Sequence, residues 1–408
     1  MIMFIQLHAG NNSCLRSKEM AMATSVHTGN TTSFTNNEMT MINPIDTGNK
    51  DEAELFIPWN NPHNIISVET FFIFEKAVMC GINLILFSIG VPTNLLNCLV
   101  FYRQGLRDRM NLCLFSLALV DMLFITFFCL AGSYCHVGLL RPEVEDWWKY
   151  FVLKYFTGLY RGFMISSGCL TMVIAVERCL CVTLPLKAAT LVKTRTIAVI
   201  IVSVVVSIQI VCLLLLFKIG MESREDPNTG TTTFFLTTTE FYSEHKFLYD
   251  IVENTLIMIV IPFATFAVVT IATAITVVQL KRAIAWRHDF SSSSSSDARE
   301  MSLVKMLVVV SLIYIISSAP NIALGLSRLL VPDFLPSRRY ANIFLASHLM
   351  YLVLAEVNSS VNFFVYLAMS SRFRQELRSL FRLCKSVRRG GDTTVITVTV
   401  HSISAVQK

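Results

Sequence analysis

Three ionisable residues stand in stretches that otherwise avoid water. Asp121 is the one charge between Met110 and Tyr134, Arg161 the one charge between Tyr155 and Val176, and Glu356 the one acid between Tyr340 and Ser371. A charge inside hydrocarbon is costly, so each marks either a buried pairing or a functional contact. Glu177 and Arg178 sit side by side where the Tyr155 stretch ends. Asn358, Asn362 and Tyr366 recur at i, i+4 and i+8 and therefore share one helix face. Groups of these types hold ions, meet charged ligands or exchange partners. The chain has no CxxC pair or His/Cys cluster with metal-ligand spacing. It has no Gly-rich phosphate loop and no nucleophile elbow. These absences point to a binding protein without covalent chemistry, a non-enzyme. The basic residues are not interleaved with aromatics as nucleic-acid binding requires.

The elements that must position these groups are apolar and long. Of 408 residues, 53% are hydrophobic and only 15% charged, against about 25% charged in soluble domains. Seven stretches stand out: Ala77 to Tyr102, Met110 to Tyr134, Tyr155 to Val176, Thr196 to Phe217, Asn254 to Leu280, Met306 to Ser327 and Tyr340 to Ser371. The shortest is 22 residues, enough for a helix to cross a bilayer, which takes about 20. Inside hydrocarbon each backbone donor and acceptor must be satisfied within its own segment, so each stretch is expected to be helical. The short alternating segments of a membrane β-barrel are absent. Pro92, Pro262 and Pro320 fall inside spans, where neighbouring helices can satisfy the freed carbonyls. Among the 11 cysteines, Cys98, Cys113, Cys129, Cys169 and Cys212 lie in apolar stretches and behave as small hydrophobes.

Basic residues set the expected orientation. Arg103, Arg107, Arg109, Lys193, Arg195, Lys281, Arg282, Arg372, Arg374 and Arg378 gather on one side, which is expected to be cytoplasmic. The N-terminus is then outside and the C-terminus inside, in the plasma membrane. Residues 1–74 read as a polar, disordered outer tail, with glycosylation acceptor patterns at Asn11 and Asn30. Its opening Met1–Ile5 run is too short for a signal-peptide core. Residues 75–371 form the spanning domain. Within it, the Thr- and Phe-rich 231–239 run reads as one side of a hairpin lid. In 372–386, Phe373, Leu377, Leu380 and Phe381 share a face, predicting an amphipathic helix on the membrane surface, with Cys384 a candidate for palmitoylation. Residues 387–408 are a cytoplasmic tail. The fold class is an all-α membrane protein, a seven-helix bundle with a short eighth helix.

Several motifs stand in matching spans: Gly90-Val91-Pro92-Thr93-Asn94, Leu117-Ala118-Leu119-Val120-Asp121, Glu177-Arg178-Cys179, Pro262, Pro320 and Asn362-Phe363-Phe364-Val365-Tyr366. Together, over about residues 75–385, they resemble the rhodopsin-like G-protein-coupled receptors, most of all invertebrate neuropeptide or chemosensory receptors. The departures are specific. Phe363 replaces a proline, Ser318 stands where the family has an aromatic, and span four has no Trp. Leu153 occupies the usual cysteine position of span three, and the loop after span four has no cysteine, so the family's disulfide cannot form. A Cys14–Cys135 bridge is one substitute.

The resemblance implies roles. Ser167, Asn358 and Asn362 would converge on Asp121, forming either a hydrogen-bonded cluster or a site for Na⁺ as an allosteric ion. Arg178 would pair with Glu177 and with Glu300, locking spans three and six, while Asn362, Tyr366 and Pro320 belong to the switch that opens a cleft for a heterotrimeric G protein. By their depth in spans three and seven rather than by the resemblance, Arg161 and Glu356 are expected to pair with each other, meet a charged ligand group or line a pore. Tyr160 and His348 would complete the pocket, and Glu253 would attract basic ligand groups. The implied function is a receptor that binds an extracellular neuropeptide or small chemosensory molecule. The rival class, a transporter or channel, lacks support from an inverted repeat or a filter segment.

Overall fold

The computed structural model describes residues 64–184, 193–225, 232–290, 295–335 and 338–389, with the side chains of 224, 233, 235, 236, 286–290, 295–300 and 383–389 outside the description. Among the described residues, seven helices are long and apolar enough to cross a membrane: Val68–Gln104, Arg109–Gly132, Pro142–Thr183, Thr194–Phe217, Lys246–Ala285, Met301–Leu330 and Ala341–Met369. They are called spans one to seven below. Their order and number agree with the seven apolar stretches of the sequence, but their ends do not. Span one starts at Val68, inside the region expected to be tail. Ser67 caps it by accepting from the Thr70 amide. Span three is helical from Glu145, ten residues ahead of its apolar run. Hydropathy marks where hydrocarbon begins; hydrogen bonding carries a helix past that point.

Local chemistry sets the turns. Span one stops at Gly105, whose φ of 93° is open to glycine. The Asp108 side chain then caps span two by accepting from the Met110 amide at 2.9 Å. Asn111 Nδ2 closes the corner by donating to the carbonyls of Gln104 and Gly105.

Polar side chains tie the spans together. Asn83 donates to the Phe128 carbonyl, joining spans one and two, and Asn94 donates to the Ser359 carbonyl, joining spans one and seven. Gly158 permits a close backbone approach of spans three and four: a Cβ there would stand 2.7 Å from the Cys212 carbonyl oxygen. Span four is the least enclosed. Val199, Val202, Val206 and Ile210 are exposed on it, a face suited to lipid. Strands β1 (Ile219–Glu225) and β2 (Thr232–Thr238) form the antiparallel hairpin that the Thr-rich run foreshadows. This hairpin marks one end of the bundle; Arg178 lies at the other.

The helix after span seven, Ser371–Arg389, lies against the Arg178 end. Phe373 and Leu377 are buried, and Phe373 packs on Phe101, Phe363 and Tyr366 at 5.6–5.8 Å. Phe381, placed on the same face by periodicity, is exposed. Phe363 therefore fills with packing the place where the resemblance expects proline.

Cys135 is bonded to Cys80, not to Cys14. Cys14, Asn11 and Asn30 lie outside the described residues, as does the Cys384 side chain. The physical reason is a close approach of spans one and two. A Cβ on Gly132 would stand 2.8 Å from the Met79 carbonyl oxygen, so the missing side chain lets the two backbones meet. Cys80 follows Met79 and Cys135 follows the end of span two, and their Cα atoms are 5.7 Å apart. Closing a 55-residue separation should be worth about 2–4 kcal/mol. Cys80→Ser is expected to free one reactive thiol at Cys135 and lower the thermal midpoint in detergent. An unchanged midpoint with no new thiol would contradict the bond.

Candidate functional site

Span three carries the polar axis of the bundle. Three of its turns present Arg161, Ser167 and Glu177 to different neighbours, and all three are buried.

At mid-depth, Asp121 has no exposure. Its Oδ1 accepts from Ser167 Oγ at 2.5 Å and from Ser359 Oγ at 2.8 Å, and its Oδ2 accepts from Asn362 Nδ2 at 3.0 Å. Three donors from spans three and seven thus supply what water would supply to a carboxylate. Ser167 and Asn362 stand where the resemblance puts them. Asn358 does not reach Asp121; Ser359 takes that role. Asn358 instead lines a neighbouring cavity. Residues one apart on a helix point about 100° apart, so the two side chains cannot share a target. A serine in span seven beside the asparagines was the signal available in the sequence.

That cavity lies between spans two, three, five, six and seven. Met164, Ile165, Ile261, Ile322 and Tyr351 give it apolar walls; Ser167, Asn358 and Ser359 form its floor. Ser317 and Ser318 line it as well, so the missing aromatic of span six leaves space. Tyr314, one turn before Ser318, rests against Gly168 and donates to Thr265 Oγ1 at 3.1 Å.

Toward the hairpin, Arg161 pairs with Glu253, not with Glu356. Arg161 Nη1 donates to Glu253 Oε1 at 3.1 Å, and Lys218 Nζ donates to Oε2 at 2.5 Å. All three side chains are about nine-tenths buried. Glu253 lies in Ile251–Val260, a π-helical part of span five. The wider turn changes which residues face inward, which hydropathy cannot reveal. Glu253 is therefore already held by two cations and is not free to attract basic ligand groups. Glu356 has no exposure, and neither of its carboxylate oxygens has a partner among the described residues. Tyr160 is buried against Phe128 at 5.2 Å, away from the cavity, whereas half-buried His348 stacks between Phe344 and Tyr351.

At the opposite end, Glu177 is almost fully enclosed. Arg178 grips it with both Nε and Nη2, the latter at 2.7 Å. Arg109 Nε from span two adds a contact at 2.8 Å, and Cys181 Sγ donates at 3.4 Å. Arg109 was not singled out in the sequence; an arginine at a span end looks like any boundary charge. Among the described residues, the side-chain hydrogen bonds of Arg178 go to Glu177, and the Glu300 side chain lies outside that description. Arg178 and Tyr366 line an open cleft with Ser302 and Phe373. Pro320 lies within the helix of span six.

The Arg161–Glu253–Lys218 chain joins three segments at once. Glu253→Gln should cost about 3–5 kcal/mol, because it leaves buried cations without their partner. The double change Arg161→Met, Glu253→Leu should cost much less. Thermal unfolding of the solubilised variants measures both; equal losses would rule out a charge origin.

Comparison with known proteins agrees with this arrangement. A family model described as "7 transmembrane receptor (rhodopsin family)" matches residues 93–366. The chain is 27% identical to the neuromedin-U receptor 2 of Mus musculus over 304 residues, covering 72% of this chain and 73% of that receptor. It is 23% identical to the neuropeptide FF receptor 2 of Mus musculus, over 76% of this chain and 73% of that one. It is 25% identical to the proteinase-activated receptor 2 of Rattus norvegicus, over 77% of this chain and 76% of that protein. With the matched region running from Thr93 in span one to Tyr366 in span seven, the chain belongs to the rhodopsin family of seven-transmembrane receptors.

Proposed function

We propose that this receptor binds an extracellular peptide at the hairpin end and activates a heterotrimeric G protein at the Arg178 end. The N-terminus is outside the plasma membrane and the helix Ser371–Arg389 inside. One observation carries the reading: hydrogen bonds run from the cavity floor through Asp121 to Asn362, one turn from Tyr366 at the cleft. The floor of the cavity, Ser167 and Ser359, holds Asp121. Asp121 also holds Asn362, and one turn further Tyr366 lines the cleft beside Arg178. A ligand that moves span three or seven at the floor must disturb this chain. It can shift the balance of states only by its differential affinity for them. A relative named for a neuropeptide favours a peptide ligand over a small chemosensory molecule.

Arg178 is gripped by Glu177 in the described state, and Glu300 near the start of span six is the partner that would lock the resting form. Glu300→Ala in membranes supplemented with purified heterotrimers is expected to raise ligand-free nucleotide exchange severalfold. Basal exchange equal to wild type would count against the lock, and transport of solute without exchange would favour a transporter.

The Asp121 cluster is also a candidate site for Na⁺. The donor set fits: Asp121, Ser167 and Ser359 offer hard oxygens, and the buried Asn362 Oδ1 has no partner. A bound cation would offset the buried carboxylate's charge and tie span two to span seven. NaCl should therefore raise the melting temperature above that in equimolar choline chloride, and Asp121→Asn should remove the difference. Identical melting in both salts would end the idea.

A further inference from the structure

The mouth of the cavity carries more positive charge than its acids offset. Above the apolar walls, spans three, six and seven each contribute one residue on the face that lines the cavity below. Arg161 lies one turn outward of Met164 and Ile165, Arg328 two turns outward of Asn321, and His348 one turn outward of Tyr351. Lys218 enters from the hairpin side. Arg328 donates to Asn254, next in the chain to the Glu253 that holds Arg161, and stands over Phe344, the ring that also stacks on His348, so three spans bring these groups together. Against the cations Arg161, Lys218 and Arg328 stand Glu253 and, further out, Asp250, which is engaged by Tyr242 and Asn254. Three cations less two acids leave an excess of one positive charge.

The hydrogen bonding repeats the imbalance. Both Glu253 oxygens are taken, one by Arg161 and one by Lys218. The Nη2 of Arg161 is buried and has no acceptor. An unsatisfied buried donor on a guanidinium is expensive. Arg328 is held ready by stacking over Phe344 at 5.7 Å and by donating one bond to Asn254 at 3.3 Å, which leaves further guanidinium donors for another acceptor.

We infer that the ligand presents a carboxylate to Arg161 and Arg328 at the mouth, with an apolar body below it in the cavity. The carboxylate supplies the acceptor Arg161 lacks and cancels the excess charge, and the planar forks of arginine suit it. The inference rests on the reading of this end as the ligand entrance. The carboxylate belongs either to a small organic acid or to a peptide terminus.

The test uses the full-length receptor in detergent and four probes: 4-phenylbutyrate, 4-phenylbutyramide, N-acetyl-Leu-Phe with a free carboxylate, and its C-terminal amide. The readout is the shift in melting temperature at millimolar probe. The carboxylates should raise it by several degrees and the amides should not. Arg328→Gln, which leaves the Arg161–Glu253–Lys218 chain intact, should cut the shift at least severalfold, and Arg161→Gln should abolish it if that variant folds. A larger shift with the dipeptide acid assigns the carboxylate to a peptide; a larger shift with 4-phenylbutyrate assigns it to a small acid. Equal shifts for acids and amides, no shift with any probe, or acid shifts unchanged in Arg328→Gln would overturn the inference. No G protein takes part, so failure here leaves the signalling assignment standing, and failure of nucleotide exchange leaves this binding result standing.

Discussion

A carboxylate enclosed by lipid-embedded helices must find its hydrogen-bond donors in the protein, because hydrocarbon offers none. Asp121 meets that demand with Ser167, Ser359 and Asn362. The requirement fixes more than one side chain. Span two cannot rotate without stripping its acid of donors, and spans three and seven cannot separate without leaving it bare. Asn94, donating to the Ser359 carbonyl, brings span one into the same arrangement. The centre of the bundle is therefore specified by polar contacts, while the apolar clusters toward either end supply bulk packing.

The two ends use the same physics with different outcomes. At the Arg178 end, Glu177 is gripped by its neighbour and by Arg109, which sets the base of span two against span three. At the hairpin end, Glu253 is shared by Arg161 and Lys218 and joins spans three and five to the start of the hairpin. A buried acid with two cationic partners leaves positive charge over. A membrane protein can carry that surplus only near a mouth open to water or to a ligand. Between the ends, serines where an aromatic is expected in span six leave room that connects the cavity to the polar centre.

The loss of one covalent tie is answered by another. No cysteine is available at Leu153, yet Cys80 and Cys135 secure span one to the end of span two. The constraint moves to a different pair of spans. Helices three and four then depend on close backbone contact at Gly158 and on the charge chain to Lys218, which follows span four.

The number of spans, their order and the identity of the costly residues were legible in the sequence, because the absence of water in hydrocarbon leaves its mark on composition residue by residue. Asp121, Arg161 and Glu356 could all be picked out in that way, whereas Glu177 and Glu253 stand at span ends like ordinary boundary charges. Their partners could not. The π-helical turn that brings Glu253 to Arg161, the glycine contact that sets Cys80 beside Cys135, and the choice of Ser359 over Asn358 at Asp121 all depend on helix rotation and on distances between helices. Hydropathy is blind to both. Cost belongs to a residue and is written in the chain; pairing belongs to the space between helices, and only their packing decides it.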